Sequence, residues 1–204
     1  MNIAICGMAP HDTSEVDNFN GEIWGLPWDE GRWPFFDRYF EIHPLDLLRK
    51  PEAQRRDGYE ERLKSLPILY MQEAYEDIPN AVRYPVERVV DVIGDYFNSS
   101  IAYLMGLAIT EIEESRIKDR YRREDKIGVF GVDMADLEPV AGDPSYISEF
   151  AYQRPNMEYL IGLARGKGIE VYIPERSPLT KFHGEGIPLG LMFPSYPQRY
   201  GYLN

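Results

Sequence analysis

The chain has 204 residues, 44% hydrophobic and 27% charged, enough to bury one full core and too short for two well-separated ones. Its 34 acidic against 22 basic side chains leave a net charge of -12, which repels a phosphate backbone or an anionic bilayer and excludes general nucleic-acid binding. A single cysteine, Cys6, excludes a disulfide framework and a multi-cysteine zinc site, and short apolar runs with no leader before Asn2 point to a cytoplasmic protein without a membrane span.

Residues 2–6 form an apolar run ending at Gly7, followed by a stretch to Ser14 rich in turn formers. That pattern predicts a buried first strand opening into a ligand-facing turn. Residues 22–25 read as a second strand and 38–43 as a third with period-two alternation, joined by an ordered loop. The charged stretch 49–65 predicts a surface helix beginning near Pro51. Residues 68–71 and 82–84 read as a fourth strand and a short edge strand. From Asn98 the pattern turns helical, with Ile101, Leu104, Met105, Ala108 and Ile112 on one face, and 111–126 reads as a solvated helix end and loop.

The run 127–132 is almost wholly apolar, as a parallel strand covered on both faces must be, and Asp133 follows its carboxyl end. Residues 134–148 form a loop long enough to fold over a ligand. A second amphipathic helix is expected over 155–165 and a last strand over 169–173. The rhythm is α/β: a single-domain, Rossmann-like, mainly parallel sheet with helices on both faces. Residues 1–176 make that domain, and 177–204 are a Gly, Pro and aromatic extension packed on it.

Each chemical motif has a plainer reading beside it. The turn at Gly7 and Pro10 presents backbone amides to a phosphate or ribose, or is only a turn; it is neither a P-loop nor a dinucleotide fingerprint. Ser99 and Ser100, with Asn98, cap a helix, and the same amides and hydroxyls suit a nucleotide phosphate. Asp133 stands at the ligand edge of an open sheet, or forms a turn. The cluster 148–155 offers Glu149 as a general base, Tyr152 and Gln153 for a hydroxyl or phosphate, and Arg154 for a diphosphate; its plain reading is a helix entry. His11, His43 and His183 are too far apart in sequence for a metal motif, and Cys6 reads as a core residue.

Three segments taken together, residues 3–10, 97–109 and 126–134, resemble the bacterial sialyltransferases that use CMP-sialic acid. They are also similar to the MptE-like pterin diphosphokinase group and to small phage proteins whose chains open the same way. The resemblance implies that Gly7 and Pro10 lie at the nucleotide, Ser99 and Ser100 near its phosphate or sugar, and Asp133 near the base or ribose. It implies a glycosyltransferase-like protein whose partner is a nucleotide-derived small molecule, a CMP- or UDP-linked sugar as substrate, with no further cofactor; the residues themselves offer no metal site, and metal dependence and a homo-oligomer are left open. Two departures from the family pattern, Met8-Ala9 in the first loop and no histidine within 148–155, favour an alternative: a non-catalytic nucleotide or nucleotide-signal binder. A third reading, an interaction protein docking through its Tyr, Trp and Pro surface, requires the strand-end cleft to be empty.

Overall fold

The computed structural model describes residues 1–9, 14–27, 33, 35–50, 58–119, 124–134, 149–175, 177 and 179. Seven strands, β1 (Asn2–Cys6), β2 (Glu22–Gly25), β3 (Arg38–Glu41), β4 (Leu69–Met71), β5 (Ala81–Arg83), β6 (Lys126–Phe130) and β7 (Glu170–Tyr172), form one sheet in the order β5-β4-β3-β2-β1-β6-β7. Every pairing is parallel. The chain steps outward from β1 to β5, then crosses back to lay β6 on the other side of β1. The order therefore reverses between β1 and β6, and at that point the two carboxyl ends splay into a crevice.

Alternation along the strands assigns side chains to two layers. Ile3, Ile5, Ile127 and Val129 face one core, which they share with Leu104, Ala108 and Leu160. Ala4, Cys6 and Phe130 face the other, with Val16, Leu45 and Leu63. The first layer is roofed by α3 (Val86–Ile93), α4 (Ser100–Lys118) and α5 (Phe150–Gly166). The second is roofed by a 3₁₀ turn (Ser14–Asn18), α1 (Leu45–Leu48) and α2 (Tyr59–Ser65). Helices thus cover both faces, and the interior run at β6 is inaccessible on both sides.

The expected helix at 98 is α4, capped by Ser99, whose Oγ accepts from the Ala102 amide at 3.1 Å. More than one face of it is buried, because Ala102, Leu107 and Ile109 pack beside the predicted stripe. It also runs on to Lys118, into the stretch read as a solvated end.

Two elements differ from the sequence pattern. The first is α3, a helix not expected over 86–93: its valines favour strand by propensity, but Val89 and Ile93 lie one turn apart and fill the gap beside Gly106. The second is α5, which begins at Phe150 rather than Pro155 and absorbs most of the polar cluster into its first turns. Pro155 there forfeits only one ladder bond, to the carbonyl of residue 151. Within the charged stretch 49–65 the described helix is Tyr59–Ser65, and the expected start near Pro51 lies outside the described residues. Ser177 and Leu179 are anchored on the domain, Ser177 Oγ donating to the Val132 carbonyl at 2.8 Å, and the rest of the extension beyond 179 falls outside the described residues. Among the described residues no helix is long and apolar enough to cross a membrane.

Candidate functional site

The crevice at the strand reversal opens into a cavity of about 640 Å³, within the range of small-molecule sites. Its floor is the carboxyl edge of four strands: His43 after β3, Leu26 after β2, Gly7 to Ala9 after β1, and Gly131 to Met134 after β6. Three strand spacings separate the outer two, roughly 14 Å, so the cavity suits an extended ligand.

Glycines bring the two central strand ends together. The Gly7 amide donates to the Phe130 carbonyl and the Ala9 amide to the Gly131 carbonyl, both at 2.8 Å. A Cβ on Gly7 meets the Gly131 oxygen at 2.4 Å, closer than any real side chain sits. Gly131 itself has φ +60°, a conformation that favours glycine, and Met134 follows with φ 45°. The chain thus turns sharply away from β6 and leaves the crevice open.

The walls are two helix starts. Asn98 to Ile101 enter from α4, and Glu149, Phe150 and Gln153 from α5. With Ser99 satisfying the Ala102 amide, the amides of Ser100 and Ile101 complete the positive end of a 19-residue helix dipole. Buried Asn156 locks the two helix entries together: its Oδ1 accepts from the Asn98 amide at 3.3 Å and its Nδ2 donates to the Tyr96 carbonyl at 2.7 Å. Asn98 Nδ2 in turn donates to the Tyr152 carbonyl at 2.5 Å.

Of the residues singled out from the sequence, Gly7, Ser99, Ser100, Asp133, Glu149 and Gln153 line the cavity together. Tyr152 and Arg154 do not. On α5, positions 149, 150 and 153 share one side, which turns the Tyr152 ring into solvent and sets Arg154 against Glu158 at 2.9 Å. Pro10 lies outside the described residues. Cys6 is buried within β1, and burial pushes its thiol up, well away from a reactive thiolate.

His43, which the sequence marks only as a poor metal ligand, lies at the cavity. Its Nδ1 is 2.5 Å from Glu41 Oε1, and its amide donates to the same oxygen at 3.2 Å. Glu41 is buried at 2% exposure, and its other oxygen accepts from the Tyr59 hydroxyl. Burial raises the Glu41 carboxyl, but the hydrogen bonds from His43 and Tyr59 outweigh it and hold the group below its ordinary value. A usable signal lay in the sequence: Glu-x-His at the carboxyl end of a parallel strand, where period two puts both side chains on one side.

No metal-binding group of His, Cys, Asp and Glu occurs among the described residues. No family model matches the chain, and no curated protein does. Among solved structures the chain is similar to the sialyltransferase CstII from Campylobacter jejuni, solved in complex with a substrate analogue, cytidine-5'-monophosphate. The likeness covers 90% of this chain and 84% of that one at 14% identity, with a TM-score of 0.47. At that level the functional reading rests on the site itself.

Proposed function

We propose that the cavity binds a nucleotide-sugar and that the protein is a glycosyltransferase-like enzyme, moving the sugar from its nucleotide to an acceptor. The observation that carries this is the convergence of the α4 start and two glycine turns on the strand reversal. The Ser100 and Ile101 amides and the α4 dipole face a space of nucleotide size there, which is how α/β sheets hold phosphates. In this reading the phosphate sits over Ser99, Ser100 and Gly7, and Asp133 accepts hydrogen bonds from ribose hydroxyls or a base amine. Glu149 and Gln153 face the sugar or acceptor.

The lining narrows the donor further. Among the described residues that form it there is no Lys or Arg, while Asp133 and Glu149 both contribute acid. Amides and one dipole suffice for a single phosphodiester charge, whereas a diphosphate ordinarily draws a guanidinium or a divalent cation. A nucleoside monophosphate sugar, of the CMP-linked kind, therefore fits better than a UDP-linked one.

Thermal melting against CMP, UMP, AMP, GMP, UDP and CMP-sialic acid tests the reading. A ligand at a hundred times its dissociation constant stabilises the fold by about 2.7 kcal/mol, a shift of several degrees. Monophosphates are expected to shift the melt more than UDP. No shift with any of the six removes the reading, and tight binding of CMP-sialic acid that is never cleaved replaces the enzyme with a sequestering binder.

A further inference from the structure

We propose that His43 is the catalytic proton acceptor of this cavity, with Glu41 as its positioning residue; this rests on the reading of the cavity as a nucleotide-sugar site.

Two carboxylates are buried among the described residues, and their partners differ in kind. Asp125 sits between a guanidinium and an ammonium, Arg116 Nε at 2.7 Å and the Met1 amine at 2.5 Å. Glu41 accepts from a tyrosine hydroxyl, an amide and an imidazole, and among the described residues no Lys or Arg pairs with it. Burying a carboxylate without a permanent cation costs stability. Among the described residues its side-chain nitrogen partner is the His43 ring, which Glu41 fixes in place at the cavity.

Geometry adds the orientation. Glu41 holds the hydrogen on Nδ1, and in that tautomer the lone pair of the ring is on Nε2. The Glu41 oxygens are themselves fixed from β3 and α2, so the ring is held by rigid elements rather than by a loop. Glu149, the other candidate base, is exposed at the start of α5, and its side chain makes no capping hydrogen bond.

The step balances as follows. The acceptor hydroxyl oxygen forms a bond to the anomeric carbon of the sugar while its proton passes to His43 Nε2. The bond from that carbon to the phosphate oxygen breaks, and its electron pair leaves with the nucleoside monophosphate at the α4 start. The imidazolium then returns its proton to solvent. His43 lies two strands from β1, so the sugar bridges β2, past Leu26.

The experiment uses the full chain with CMP-sialic acid, following CMP release in the absence of acceptor, water then serving as the hydroxyl, with CMP affinity measured alongside by calorimetry. The expected result is release by the wild type, and a loss of about 10²- to 10⁴-fold in His43→Gln with CMP affinity unchanged. His43→Ala should regain turnover with added imidazole, which a merely structural histidine does not allow. Glu41→Gln should lower kcat without weakening CMP, and shift the His43 ring ¹⁵N signals towards the Nε2–H tautomer. Wild-type release by His43→Gln overturns the proposal while the cavity reading stands. Loss confined to Glu149→Gln moves the base there and also overturns it. CMP binding without release by the wild type overturns the catalytic step alone, and failure of the wild type to bind either CMP or CMP-sialic acid overturns both.

Discussion

At the amino edge of the sheet, charges are paired with one another; at the carboxyl edge of its central strands, glycines and polar groups line a cavity. Arg38 opens β3 bonded to Glu22 and Glu111, each at 2.8 Å, and lies over the Trp24 ring at 4.6 Å. Arg116 and the Met1 amine close on Asp125, and Lys126 on Glu170 at 2.8 Å. At the opposite edge Gly7, Gly131, Ser99, Ser100 and Asp133 line the cavity with the Glu41–His43 pair, while Arg83 at the end of β5 pairs with Glu73 and Glu87 away from that lining. The chain passes from one regime to the other within six residues, from Arg38 at the start of β3 to His43 just beyond its end. Under the proposed function this acidic protein holds its anion through backbone amides, while Arg38, Arg116 and Lys126 are committed to strand starts.

The largest expected effect lies at the pinned edge. Asp125→Asn leaves the Arg116 guanidinium and the Met1 amine facing a neutral amide. Loss of one partner from a buried pair costs about 3–5 kcal/mol, and the partial exposure of both cations brings that towards the lower end. Urea denaturation should show the loss, with CMP affinity unchanged in the folded protein. An equal loss of affinity would mean that the two edges are coupled.

Gly7→Ala should act the other way round. Its new methyl meets the Gly131 carbonyl at 2.4 Å and Val132 at 2.7 Å, so β1 and β6 must shift at their ends. Overpacking of that kind costs about 1–3 kcal/mol. Because the shift falls on the crevice, CMP affinity should fall even where the protein remains folded at 25 °C. Calorimetry with CMP checks it; unchanged affinity places the nucleotide elsewhere.

What could be read from the sequence follows the range of each signal. The strands β1 and β6 and the start of α4 are local: an apolar run bounded by glycine, and a serine whose side chain reaches the third amide onward. The end of an apolar run also marks the carboxyl edge, which is why Gly7, Asp133 and the serines fall on one cavity. Strand order is not local. Nothing near His43 says that β3 lies two strands from β1, so the Glu41–His43 pair becomes visible only once the sheet is assembled. The valines of α3 favour strand by propensity although they wind into a helix, and packing overrode one expectation: Pro155 reads as the first residue of a helix that already began at Phe150.

The smallest effect tests that last point. Read as residues preceding a helix, Glu149 to Arg154 offered a guanidinium to a phosphate. Wound into α5, Arg154 falls one turn before Glu158 and pairs with it at 2.9 Å, off the cavity lining. A pair of this kind, with Glu158 half exposed, contributes about 0.3–0.5 kcal/mol. Arg154→Ala should therefore lower the melting temperature by no more than a few degrees and leave CMP affinity where it was. A tenfold weaker CMP complex would show that the first turn of α5 unwinds to deliver the guanidinium, and that the carboxyl edge recruits a cation after all when its ligand arrives.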